Sequence, residues 1–400
     1  MEAHLLQWLQ LAARWLHVIA GAAWIGTSFY FNWLNDSLRP SSDSQSGVSG
    51  ELWSVHGGGF YRVSKYSVAP ERLPEKLHWF KWEAYFTWIT GFVLLGMIYY
   101  MGSGAYLVDP RVSAIGPGAA TAVGLVTLFG GWLAYDALCR SPLGQRSAWL
   151  AAVLFVFTVL VAYALSKTLS PRAAYIHVGA MLGTWMAANV FRVIIPSQRA
   201  MVQSMADGID PDAERGKQAA LRSLHNNYLT LPVLYVMVSN HYPVTYAHSH
   251  GWLILAAMFA IGVVARHYYN LRHRGRHVVW LLPATVVAML ALAVTTAPDM
   301  SLREPSSIGG RGERAAYPVI RAILDQRCVA CHSASPTHPT VAGAAPLGVE
   351  LDTGQQAKTH AERIARAVES GLMPLGNLTG MTQEERDLVV RWVSEGATTE

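Results

Sequence analysis

Of the 400 residues, 52% are hydrophobic and only 14% are charged. With a mean hydropathy of +0.23, that balance excludes an ordinary soluble globule or a disordered chain and points to a protein whose solvent is largely lipid. The formal net charge of +5 comes from basic residues lying between apolar runs, so no nucleic acid is expected as a partner.

Apolar runs of membrane length lie at about 6–34, 79–101, 118–139, 148–166, 173–195, 228–242, 250–270 and 277–297. They predict an all-α, eight-helix transmembrane bundle within residues 1–300, with residues 301–400 forming a separate domain. The first run is expected to remain in the protein, because Met1-Glu-Ala-His4 is not a basic n-region and no small-residue cleavage site follows Trp24.

Between the first two spans, at about 36–77, lies a long polar segment. A Ser/Gly/Asp linker over 36–50 leads into a run from Glu51 to Tyr66, which alternates on both sides of Gly57-Gly58-Gly59 and predicts a β-hairpin. His56, Arg62 and Lys65 stand beside Trp53, Phe60 and Tyr66. Aromatic rings stack on planar ligands and a guanidinium pairs with oxygens in a fork, so the mixture suits a planar anion. An amphipathic hairpin resting on lipid headgroups has the same composition.

Segments joining spans 1 to 2, 3 to 4, 5 to 6 and 7 to 8 hold Arg62, Lys65, Arg72, Arg140, Arg146, Lys217, Arg222, Arg272, Arg274 and Arg276, whereas the opposite set holds Arg111, Lys167 and Arg172. The positive-inside rule then expects a bacterial cytoplasmic (inner) membrane with both termini on the periplasmic side. Cys139 falls at the cytoplasmic end of the third span, a reducing position.

The spans show a loose 4+4 repeat. His17 in the first and His177 in the fifth are each followed by small residues and a tryptophan, and Leu77-His78 and Leu224-His225 precede the second and sixth spans. Ionisable side chains inside a span are functional candidates. Facing imidazoles at His17 and His177 can hold an additional b-type haem or a metal; they can equally be neutral interhelix residues or line a polar substrate cavity. His225-Asn226-Asn227-Tyr228 is expected to open the sixth span, where the amides need a ligand or an interhelix partner.

Near the end stands Cys328-Val-Ala-Cys331-His332, the covalent attachment pattern of a c-type haem, with His332 as proximal iron ligand. Zinc would need a second ligand pair, and the remaining cysteine, Cys139, lies far upstream. A helix is predicted over about 313–327 and another over 359–370, closed by Gly371. Met373, in a loop before Pro374, is expected as the distal ligand of a class I-like cytochrome c domain. Met381 competes, but it precedes a capping box, Thr382-Gln-Glu-Glu385, that opens the final helix. That helix should pack Leu388, Val389, Trp392 and Val393 on the first helix of the domain.

Taken with the order of spans, the runs Trp53-Ser-Val-His-Gly-Gly-Gly-Phe-Tyr-Arg62, His78-Trp-Phe-Lys-Trp-Glu-Ala-Tyr85 and His225-Asn-Asn-Tyr-Leu-Thr-Leu-Pro232 and the Cys328–His332 domain resemble the bacterial integral-membrane, cytochrome c-linked urate oxidases of the PuuD type over essentially the whole chain. The resemblance implies oxidation of urate to 5-hydroxyisourate, with electrons leaving through haem c and no release of hydrogen peroxide. A terminal oxidase or soluble cytochrome would take the electrons. Urate is expected between the hairpin and the mouths of the second and sixth spans. Arg62 or Lys65 would hold the anion, Asn226 or Asn227 would bond the ring edge, and His56, His78, His225 or Lys65 would act as base. Three other readings use the same parts: a quinol-linked oxidoreductase, an electron-relay anchor for a separate dehydrogenase, and a transporter with a redox sensor domain.

Overall fold

The computed structural model describes residues 2–40, 47–66, 70, 73–101, 106–110, 112–297, 316–338, 345–369 and 371–399. Arg72 and Arg111, which enter the orientation argument, and residues 313–315 of the predicted haem-domain helix lie outside them.

A 36-residue helix α1 (Glu2–Ser37) is followed by an antiparallel hairpin, β1 (Val48–His56) and β2 (Gly59–Tyr66). Its two-residue turn is Gly57-Gly58, with φ of 57° and 79°; both angles are the left-handed values that a type I′ turn requires and that glycine adopts without a Cβ clash. Next come α2 (Trp82–Leu95), which runs into a π-helical turn over Gly96–Tyr100, then α3 (Pro117–Arg140) and α4 (Ser147–Ser166). The helix α5 (Pro171–Ala188) continues through a π segment, Asn189–Ile194, into α6 (Ile195–Ala206). The bundle is completed by α7 (Ala213–Ser239), the one-turn α8 (Pro243–Tyr246), α9 (Gly251–His273) and α10 (Leu281–Thr295). Pro117 and Pro171 open their helices in the first turn, where a missing N–H costs nothing.

Among the described residues four stretches, Pro117–Arg140, Ser147–Ser166, Pro171–Ala206 and Gly251–His273, are long and apolar enough to cross a membrane, while the apolar α10 has 15 residues. The α5–α6 stretch is central. Two-thirds of its most apolar window is buried (67%), against 28% for the other three. Glycines set how closely its neighbours approach. A Cβ on Gly131 of α3 would stand 2.7 Å from Met181 Sδ, and one on Gly179 of α5 would stand 2.5 Å from Val236 of α7. Small residues at such crossings maximise dispersion contact where lipid offers no hydrophobic drive.

The structure corrects two sequence expectations here. The predicted sixth span, 228–242, is the second half of α7, which begins at Ala213, so His225, Asn226 and Asn227 lie in the middle of a helix and not at its mouth. Pro232 is tolerated because the ring packs on Gly262 of α9, where a Cβ would come within 3.2 Å. Arg222, counted above as a loop cation, is a buried residue of the same helix.

Beyond residue 315 the described chain forms α11 (Tyr317–Arg327), α12 (Gly354–Thr359), α13 (Ala361–Glu369) and α14 (Gln383–Ser394). The helix predicted over 359–370 is α13; the short α12, opened by a Thr353–Gln356 capping box, precedes it and ends at His360. Gly371, at φ 69°, follows α13. Ile320, Leu324, Val368, Val389 and Trp392 make a core of their own. Glu385 ties this unit together: it completes the Thr382 capping box and pairs with Arg327 of α11 at 2.9 Å.

Replacing Gly124 of α3 with Ala would drive a Cβ to 2.6 Å from His177 Nε2 and 2.7 Å from the Tyr100 hydroxyl. Thermal unfolding of the detergent-solubilised protein should show a loss of about 1–3 kcal/mol. For Glu385, burial pushes the carboxyl pKa up, but Arg327 and the Thr382 N–H outweigh it and hold the value below the usual carboxylate range. Its stabilising effect is present above the unfolded-state pKa and is lost as pH falls through the lower folded-state value. Glu385→Gln should therefore cost about 1 kcal/mol at neutral pH, with the gap from wild type closing in acid, as read by denaturant unfolding across pH.

Candidate functional site

The hairpin is fastened to the end of α1. Arg39 and Glu51 exchange backbone hydrogen bonds of 2.9 and 2.8 Å, and Lys65 Nζ donates to Asn35 Oδ1 at 2.5 Å. Arg62 is paired with Glu51 at 2.5 Å and lies 5.5 Å from the Trp53 ring centroid. Both cations proposed to hold an anion are thus engaged within the hairpin and its anchor. His56 is exposed beside the turn, opposite Gly59.

A cavity of about 250 Å³ lies beside the C-terminal half of α1. Trp24 and Phe31 of α1 and Trp79 and Phe80 before α2 supply aromatic walls; His78, Gln198 of α6, and Ser223, Asn226 and Thr230 of α7 supply polar edges. Of the residues predicted to serve a substrate, His78 and Asn226 meet here. His56, Arg62, Lys65, His225 and Asn227 do not line it. Asn227 Oδ1 instead accepts from Arg266 Nε and Asn270 Nδ2, both at 2.9 Å, as an interhelix tie between α7 and α9.

His225 faces away from the cavity but is joined to it. Arg222 Nη2 donates to Asp136 Oδ1 at 2.6 Å and Nη1 to Asn189 Oδ1 at 3.3 Å. Asn189 Nδ2 then donates to Asn226 Oδ1 at 2.9 Å and to the Tyr135 hydroxyl at 2.8 Å. The Tyr135 hydroxyl also hydrogen-bonds His225 Nδ1 at 2.8 Å. Asn226 Nδ2 donates to the Met186 carbonyl at 3.0 Å, just before α5 turns into its π segment. Such segments loosen the regular backbone ladder and recur at functional sites. Sequence reasoning passed over Asp136, Asn189, Tyr135 and Gln198. Asp136 and Asn189 carried a usable signal, as polar side chains inside predicted spans; Gln198 carried none, since it lies beyond the predicted end of its span.

His17 and His177 share no partner. His17 Nδ1 bonds the Thr87 carbonyl at 3.0 Å, and a Cβ on Gly91 would come 2.9 Å from its ring. His177 Nδ1 bonds Ala173 O at 2.8 Å, and its Nε2 bonds the Tyr100 hydroxyl at 3.0 Å against the Gly124 backbone. That packing leaves no face for a porphyrin at His177 Nε2, so the pair does not fit a bis-histidine b-type haem. Nor do the described residues group three or more metal-ligating side chains.

Cys328, Cys331 and His332 lie on a turn that follows α11, held by N–H bonds from Cys331 and His332 to the Cys328 carbonyl at 3.1 and 2.9 Å. Both thiols are free, and burial pushes Cys328 up to about 12 and Cys331 up by less. His332 Nδ1 donates to Val349 O at 2.9 Å, which fixes the ring and leaves Nε2 as the nitrogen able to bind iron. Met373 sits in a half-buried loop, its N–H bonded to Ala367 O at 2.9 Å and its carbonyl to Arg386 at 2.7 Å. Met381, the competing ligand, is buried in the core of this unit. The chemistry of Cys328, Cys331 and His332 fits the haem c expected from the sequence.

Apolar helices packed around an aromatic, amide-edged cavity are the form of a small-molecule site within a helical bundle. The chain belongs to the urate oxidase N-terminal family, whose sequence model matches residues 3–297, the region that contains the whole cavity. That membership points to an oxidoreductase acting on urate. Neither a curated protein nor a solved structure matches the chain.

Proposed function

We propose that the protein oxidises urate to 5-hydroxyisourate in the cavity between α1, α6, α7 and the approach to α2. The observation that carries this reading is the family match over a region whose cavity joins aromatic walls to His78 and Asn226. Urate is a planar anion. The reaction adds one water and removes two electrons and two protons. Trp24 and Trp79 flank the ring, and Asn226 bonds its edge. Of the four candidate bases His78 is the one retained, because it alone among them lines the cavity; its ring is steadied edge-on by Phe80 at 4.5 Å.

Cys328 and Cys331 would attach haem c, with His332 and Met373 as axial ligands. When bound, the haem accepts electrons singly, so oxidation need not deliver them directly to dioxygen as hydrogen peroxide. A terminal oxidase or soluble cytochrome is the downstream partner. The setting is the bacterial inner membrane, with the four long apolar stretches joined by α1, α2, α7 and α10 as eight spans and both termini periplasmic. Exposed apolar side chains on α1, α4 and α10, such as Trp15, Trp149 and Val294, support this placement as lipid-facing positions.

Urate added anaerobically to the purified full-length protein should generate the absorption band of reduced c-type haem. A haem that dithionite reduces but urate leaves oxidised would refute the reading. His78→Ala should slow that reduction by roughly 100-fold, with the dithionite-reduced spectrum intact; an unchanged rate would remove His78 as the base.

A further inference from the structure

We infer that the buried Arg222–Asp136 pair positions Asn226 to offer an N–H, and not a carbonyl oxygen, into the cavity, so that the site selects the hydrogen-bond-accepting edge of a planar ligand. This deepens the proposed function and rests on the cavity being the ligand site. Amide oxygen and nitrogen are told apart by their partners, and here every partner has a fixed polarity. Arg222 can only donate, so the Asn189 atom facing it at 3.3 Å is oxygen. Asn189 nitrogen must then face Asn226 and Tyr135. The Asn226 atom receiving that donation is oxygen, and its nitrogen meets the Met186 carbonyl, an obligate acceptor. A flip of Asn226 would set oxygen against oxygen at Met186 and nitrogen against nitrogen at Asn189. The orientation is determined from both ends.

What remains unmet follows by counting. Asn226 oxygen already has a donor, whereas its nitrogen has two hydrogens and, among the described residues, one acceptor. One donor satisfies a carbonyl oxygen tolerably, but each buried N–H needs its own acceptor. The hydroxyls of Thr27 and Thr230, also on the cavity wall, are spent on carbonyls of their own helices. Asn226 therefore asks the ligand for an acceptor. Arg222 and Asp136 do not line the cavity; they are positioning residues acting through Asn189.

Two isosteric planar probes test this without urate: benzoate, whose polar edge only accepts, and benzamidinium, whose edge only donates. Binding to the full-length protein in detergent is read by quenching of Trp24 and Trp79 fluorescence. Wild type should bind benzoate on the order of 10- to 100-fold more tightly than benzamidinium. Equal binding, the reverse order, or no binding of either probe overturns the inference.

Asp136→Ala separates positioning from simple charge. Removing a carboxylate leaves Arg222 uncompensated, so an electrostatic account predicts tighter benzoate binding; loss of positioning predicts binding weaker by roughly tenfold. Tighter binding would overturn the inference. Asn226→Asp, which replaces the N–H with oxygen, should abolish the benzoate preference even if Asp136→Ala fails to fold; retention of the preference would also overturn it. If urate fails to reduce the haem while benzoate is still preferred, the urate reading falls and this one stands.

Discussion

Arg222 is a permanently charged side chain that is 3% exposed, and the middle of the bundle is arranged around it. An ion pair away from water is stable only when the remaining donors are met, and breaking one partner typically costs about 3–5 kcal/mol. Asp136 of α3 takes one edge of the guanidinium and Asn189 of the π segment takes another, while the Tyr135 ring lies 4.9 Å away as a cation–π face. Three helices are thereby held at one level. Trp185 stacks on Tyr135 at 4.6 Å and extends the same contact through α5. The cavity exists because this tie fixes α7 against α5 while the end of α1 and the segment before α2 form its outer wall.

The charge also explains why the polar groups nearest the cavity are amides. A carboxylate at position 189 or 226 would compete with Asp136 for Arg222. A hydroxyl has a single donor hydrogen, against two on an amide nitrogen. Two asparagines pass a fixed hydrogen-bond direction from the ion pair to the cavity wall without adding charge. His225, at the end of the other branch, is engaged by Tyr135 and does not line the cavity.

The region beyond residue 315 follows a different logic. Its helices are short, α12 and α14 are opened by capping boxes, and its cohesion comes from a small core with Arg327–Glu385 and Arg386 closing loops around it. Arg386 binds the carbonyls of Val368 and Met373 and the side chain of Asn377, so the loop carrying Met373 is set by one buried cation. His332 is oriented by a single backbone carbonyl. The haem proposed above would benefit from such constraint, since ligand orientation and solvent exclusion tune a bound iron.

The sequence by itself determined what depends on local spacing. Period and length marked the apolar helices, Gly57-Gly58 marked the hairpin turn, Thr382 with Glu385 marked the last helix, and Cys328, Cys331 and His332 stood within one turn of each other. Tertiary structure alone decided which polar side chains meet. Arg222 read as a loop cation because the run before Leu224 is polar, and only packing against Asp136, 86 residues away, made it a buried helical residue. Arg62 and Lys65 had the right chemistry for an anion but are engaged by Glu51 and Asn35. Asn226 and Asn227 are neighbours in sequence with equal claims on a ligand; a helix turns about 100° per residue, so one lines the cavity and the other ties α7 to α9.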